Sequence, residues 1–136
     1  MDIAERTDLL FRTITKNGKE YSYREVENLA GGAVSSTTIW KVRTGKIRNP
    51  SQKTIRALST AFQVPVAFFF DENVTQEDIP RYRQQYRSEK MVEQITLRSY
   101  DLDDEGKQAV LDMINWVRKA QGLDNNNEEE PVEDGP

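Results

Sequence analysis

The chain has 136 residues, 31% of them charged, a formal net charge of −4, and neither Cys nor His. That length fits one compact domain or a small domain with an appendage. The missing residue types remove disulfide frameworks, thiol nucleophiles, zinc fingers and imidazole acid–base catalysis together. No convergent cluster of carboxylates, Lys or Tyr stands out in their place, so the expectation is a non-enzyme needing no cofactor and no metal. There is no run of about 18 apolar residues. The first residues carry no signal-peptide pattern, which predicts a cytoplasmic protein without a membrane or small-molecule partner.

The charge is unevenly spread. From Leu123 onward stand six acids (Asp124, Glu128, Glu129, Glu130, Glu133, Asp134) and no base. Removing those six from the 23 acids leaves 17 against 19 bases, a net of +2. No acid occurs between Glu27 and Asp71, whereas Lys41, Arg43, Lys46, Arg48, Lys53 and Arg56 all do. An acid-free basic stretch is the electrostatic footprint of phosphate contact; charge alone favours a merely solvated face, but charge coincident with the helix spacing does not.

In chain order, Ile3, Leu10, Phe11 and Ile14 recur near helical spacing, with Asp2 as cap and Asn17-Gly18 as stop. Ser22 and Glu25 form a capping-box pattern that opens a second helix to about Leu29, with Val26, Leu29 and Ala30 inward. Gly31-Gly32 breaks it and permits close helix approach. From Ser35 to Gly45, Ser35 is a natural N-cap, Ile39 and Val42 share one face, and Gly45 ends the helix. The other face holds Ser36, Thr37, Thr38, Lys41 and Arg43. A short helix that is apolar beneath and donor-rich above suits a DNA major groove.

A basic loop, Lys46 to Asn49, leads into a fourth helix from Pro50 or Ser51 that buries Ile55, Leu58 and Phe62. Pro65 opens a fifth, with Val66, Phe69 and Phe70 expected to close the core. The run Phe68 to Phe70 also admits an interaction surface, but a domain this small needs the volume inside. After a linker, a long and mostly charged helix spans about Asp78 to Ser99. A last helix, from about Asp103 to Gln121, puts Val110, Leu111, Ile114 and Val117 on one stripe. That stripe either pads the first core or, the favoured reading, forms a dimerisation face. Residues 123–136 are acidic, Asn-rich and Pro-punctuated, which predicts a disordered tail; solubilisation is favoured over weak competition with DNA.

Val34, Ser35, Ile39, Val42 and Gly45 fall at the spacing of the recognition helix in the Cro/repressor-like (XRE) helix-turn-helix family, which this chain resembles. Ser22 to Val26 look like that family's first motif helix. Lys46 to Ser51 with Thr54, Ile55 and Leu58 look like its loop into a fourth helix, and Phe62 to Asp71 like its short fifth. Arg43-Thr44-Gly45 through Asn49-Pro50-Ser51, the aromatic run, and Gln108 to Gly122 are also similar to the actinobacterial EspR-like regulators. Ala30 to Ala33 is longer than the family's usual Gly-Val-Ser link.

The resemblance implies an all-α fold: a five-helix lambda-repressor-like domain over residues 1–72, a two-helix dimerisation region over 73–122, and the tail. It implies a double-stranded DNA-binding transcriptional regulator acting as a homodimer in the bacterial nucleoid, with DNA bridging as a further possibility that rests on the EspR-like likeness alone. The alternative is an antitoxin or phage-type repressor whose C-terminal helices bind a protein partner.

By the same resemblance, Ser36, Thr37 and Lys41 face the groove, with Lys41 the best guanine contact and Thr38 reaching the backbone or a thymine methyl. Arg43, Thr44, Lys46, Arg48 and the amides near Ser51 are expected on phosphates, with Tyr23 and Arg24 as weaker candidates. Trp40 either packs over sugar or sits against the first motif helix. Short Ser and Thr side chains predict modest sequence specificity.

Overall fold

The computed structural model describes residues 1–123; the tail expected over 123–136 therefore lies almost wholly outside the described residues. Among the described residues stand six α-helices, two very short strands and two 3-10 turns, a largely helical arrangement. The chain divides at Met91 and Val92 into two compact units.

The first helix, α1 (Ile3–Thr13), starts where Asp2 accepts the Glu5 amide at 2.8 Å and buries Leu9, Leu10 and Phe11. It stops earlier than the apolar spacing suggests, because Ile14 turns to extended backbone. The chain then forms an antiparallel hairpin, β1 (Thr15–Lys16) and β2 (Lys19–Glu20), with Thr15 opposite Glu20. Asn17 and Gly18 both have positive φ, 52° and 78°. A tight hairpin turn of the primed type needs that pair of conformations, so Asn-Gly closes a hairpin here and does not simply end a helix.

The capping box forms at α2 (Tyr23–Leu29): Ser22 and Glu25 exchange hydrogen bonds of 3.1 Å. Val26 and Ala30 are buried, but Leu29, expected inward, is exposed. It sits about 60° to the other side of Val26 on the helix wheel from Ala30, and the partners α3 and α4 cover only Val26 and Ala30 fully. Gly31 and Gly32, both at positive φ (68° and 75°), carry the chain round to α3 (Ser36–Arg43). Its Ile39 and Val42 are fully buried, and α4 (Gln52–Phe62) adds Ile55, Leu58 and Phe62. Phe11 meets Phe62 edge-on, with ring centres 5.1 Å apart.

The segment after Pro65 departs from expectation. It is a single 3-10 turn, Val66–Phe69, with Phe70 as its C-cap at φ −119°. An α-helical stripe would have buried Val66, Phe69 and Phe70. The tighter turn buries Phe68 and Phe69 and leaves Val66 and Phe70 at the surface, Phe70 at 60% exposure. Beyond a second 3-10 turn, Gln76–Asp78, α5 (Ile79–Ser99) begins inside the same core through Ile79 and Tyr82. The Tyr82 hydroxyl donates to Asp71 at 2.6 Å, and the Asp71 carbonyl accepts from the Arg6 guanidinium. The first unit thus extends well past the aromatic run.

The second unit holds the end of α5 and α6 (Asp104–Ala120), whose first turn is capped by Asp103 accepting from Gly106 at 2.7 Å. None of its described residues is buried. Leu111, Ile114, Val117 and Trp116 are all exposed, Val110 is half-buried, and an apolar groove of about 380 Å³ runs between Ile95, Tyr100, Val110 and Ile114.

Candidate nucleic-acid interface

The site is built on α3. Ile39 and Val42 tie one face into the core, so the positions between them must point outward. Two acceptors then fix the start of the helix. Ser35 Oγ takes the Thr38 amide at 3.1 Å and donates to Thr38 Oγ1 at 3.0 Å. Glu27, reaching from α2, takes the Ser36 amide at 2.5 Å. Both satisfy amides that an isolated helix would leave open, and a carboxylate there also complements the positive end of the helix. The Glu27 contact bolts α2 to α3 across the long turn and so fixes how α3 is presented. Sequence reading passed over Glu27; its only signal was that it is the last acid before the basic stretch.

Along the outward face, Thr37 and Lys41 are exposed, and Ser36 and Thr38 are half-buried at the helix entrance. Thr38 is held by Ser35, so its methyl group is the freer part for contact. Trp40 is 38% exposed, with the Lys46 ammonium 4.9 Å from its ring centre. That cation–π contact joins Trp40 to the turn that follows α3.

After α3 the Ile47 amide donates to the Lys41 carbonyl at 3.1 Å, and Ile47 packs against the core. That inward residue leaves its neighbours Lys46 and Arg48 exposed on either side. Gly45 makes the reversal at φ 81°, a conformation that a side chain would strain. The Thr44 hydroxyl donates back to the Trp40 carbonyl at 2.8 Å. Ser51 caps α4 by accepting the Thr54 amide at 3.2 Å, leaving the exposed Gln52 and Lys53 at that helix's positive end.

Two of the residues expected on phosphates are engaged elsewhere. Arg43 is only 17% exposed in its side chain; its Nε pairs with Asp8 at 2.9 Å and its Nη2 with Glu20 at 2.8 Å. Its guanidinium lies 4.4 Å from the Phe11 ring centre, and its Nη1 donates to the Tyr23 hydroxyl at 3.4 Å. Burial works against the charge, yet the bonds to Asp8 and Glu20 outweigh it and hold Arg43 above the ordinary guanidinium value. Tyr23 stacks at a tilt on Phe11, with 5.2 Å between ring centres. The pair is a strut joining α1, the hairpin, α2 and α3. Asp8 and Glu20, which complete it, lie 35 and 23 residues away from Arg43, so no local pattern announced them. Arg24 is exposed.

The geometry thus brings together Ser36, Thr37, Thr38 and Lys41 on one short helix, with Lys46, Arg48 and the Ser51 end of α4 following it in sequence. Val110, Leu111, Ile114 and Val117 all lie on α6, in the other unit. No protein-family profile matches the chain. It is similar to the nucleoid-associated protein EspR of Mycobacterium tuberculosis, from strains CDC 1551 / Oshkosh and ATCC 25618 / H37Rv. Each is 29% identical over 128 residues, covering 89% of this chain and 96% of the relative. No helix among the described residues is long and apolar enough to cross a membrane.

Proposed function

We propose that the protein is a non-enzymatic regulator that binds double-stranded DNA as a homodimer, with α3 in the major groove. The observation that carries this reading is the face of α3. It is free of acids, anchored beneath by Ile39 and Val42, fixed at its start by Glu27 and Ser35, and flanked by exposed Lys41, Lys46 and Arg48. The similarity to a nucleoid-associated protein over nearly the whole chain supports the same reading and extends it to DNA organisation.

In this arrangement Lys41 reads a base, with Ser36 and Thr37 beside it and the Thr38 methyl toward thymine. Lys46, Arg48, Thr44, Arg24 and the amides at the Ser51 end of α4 hold phosphates and set register. Arg43 and Tyr23 act one step back, positioning α3 instead of touching DNA. The uncovered stripe Val110, Leu111, Ile114 and Val117 is the homodimer face, since an amphipathic helix without a core of its own needs a partner.

Two copies with recognition helices about 34 Å apart would match successive major grooves on one side of B-DNA. Selection from a random duplex library is therefore expected to return a degenerate, two-fold-related motif. Recovery of one invariant motif with no internal symmetry would count against both the dimer and the modest reading chemistry.

A further inference from the structure

On the first half of α5, Arg83 and Arg87 stand four residues apart and so share one helix face, with Lys90 next along the same stripe. Arg83 is half-buried, and its Nε lies out of solvent with no hydrogen-bond partner. Arg87 reaches Gln63 at 3.4 Å, a weak contact with a neutral acceptor at the residue that ends α4. Among the described residues no ion pair joins either guanidinium to a carboxylate. Arg83 is held below the ordinary guanidinium value, first by burial and then by the charge of Arg87, with Tyr21 opposing. Two like charges on one helix face, one partly desolvated and with an unsatisfied Nε, are costly without a nearby anion. A guanidinium pair offers forked donors suited to phosphate oxygens.

We propose that Arg83 and Arg87 form a second phosphate-binding fork, which takes the backbone of a nucleic acid at the C-terminal end of α4. The position makes it a separate contact. Gln63 lies at the far end of α4 from Ser51, and the 11 residues of that helix span about 16 Å. The fork therefore does not belong to the cluster of Lys41, Lys46 and Arg48. It rests on the DNA-binding reading and adds a second, sequence-independent backbone contact, made either by the flanks of the same duplex or by another segment.

The test uses full-length protein and a labelled duplex, with affinity followed by anisotropy over a salt series. The wild type is compared with Arg83→Gln/Arg87→Gln, with Arg83→Lys/Arg87→Lys, and with Lys41→Glu/Arg48→Glu. The Gln pair is expected to flatten the salt dependence by about two phosphate equivalents, while the Lys pair restores most of it. Lys41→Glu/Arg48→Glu should keep weak, salt-steep binding that disappears when the Gln pair is added.

The Arg83 side-chain Nε–H resonance should move on adding duplex to the Lys41→Glu/Arg48→Glu protein. Wild-type binding with a slope that the Gln pair leaves unchanged would overturn the fork alone. Absence of wild-type binding to any duplex would overturn the DNA reading and the fork with it. A resonance that answers inorganic phosphate as readily as duplex, with no change in slope, would make this a free-anion site and contradict the backbone assignment.

Discussion

The two units of this chain use their apolar residues in opposite ways. In the first, Phe11, Phe62, Phe68 and Phe69 are sealed inside with Leu10, Ile39 and Leu58. In the second, Leu111, Ile114, Val117, Met113 and Trp116 all lie in contact with solvent. A helix with a clear apolar stripe but no core gains little from folding alone, because the hydrophobic term depends on area removed from water. The first unit carries the means of its own stability, and the second carries a face whose stability depends on what covers it.

The sharpest way to break that comparison is to cut into each side. Phe62→Ala should cost about 3–5 kcal/mol in chemical denaturation, through lost burial and the cavity left behind. Ile114→Ala at a dilution where the chain is monomeric should cost about 0.5 kcal/mol or less, as a surface substitution does. Equal losses would mean that the second unit has a core after all. Association is addressed by Leu111→Glu/Ile114→Glu, which should convert the proposed dimer to monomer in sedimentation equilibrium without unfolding the first unit. A mass that stays unchanged, whether monomeric or dimeric in both proteins, would remove the α6 stripe from the dimer interface.

Much of the first unit was legible in the sequence, because it rests on local rules. Asp2, Ser22 and Ser35 each cap the helix that their position announces, and α4 starts at Ser51 as read. Ile39 and Val42, or Ile55, Leu58 and Phe62, follow helical spacing into the core. What was not legible depends on distant partners or on the choice between helix types. Asn17-Gly18 reads as a helix stop, and only the pairing of Thr15 with Glu20 makes it a hairpin turn. Val66 and Phe70 read as core until the turn tightens to 3-10 geometry.

The candidate site divides along the same line. Lys41, Lys46 and Arg48 stay on the surface as their neighbours Val42 and Ile47 turn inward. Arg43 reads as one more basic residue until Asp8, Glu20 and Phe11 close around it.

That distinction between surface cations and the half-buried strut is itself testable. Arg43→Gln should destabilise the first unit by about 1.5–3 kcal/mol, the range for hydrogen bonds to charged groups. Its loss of DNA affinity should track the loss of structure. A folded, fully stable Arg43→Gln protein with weakened DNA binding would restore Arg43 to direct phosphate contact. Glu27→Ala should have a smaller effect on unfolding, about 1 kcal/mol, as for loss of a helix-start contact. It should weaken DNA binding out of proportion, because it frees the angle between α2 and α3.

The smallest effect concerns acid. Bonds from the Ser22 backbone and hydroxyl hold the Glu25 carboxyl below its ordinary range. A depressed carboxylate stabilises the fold above its unfolded value, and that contribution fades as pH falls through the folded one. Glu25→Gln should therefore flatten the pH dependence of unfolding below the usual carboxylate range and leave it unaltered at neutral pH.

The most direct measurement is the salt dependence of duplex binding by fluorescence anisotropy for wild type, Arg48→Ala and Lys41→Ala. If the α3 face docks on DNA, wild-type affinity falls steeply with salt and Arg48→Ala shows a slope shallower by about one phosphate equivalent. Lys41→Ala should lose roughly 1–3 kcal/mol on preferred sequences and much less on others. Wild-type affinity that does not respond to salt, or identical slopes and sequence preferences in all three proteins, would contradict docking through α3.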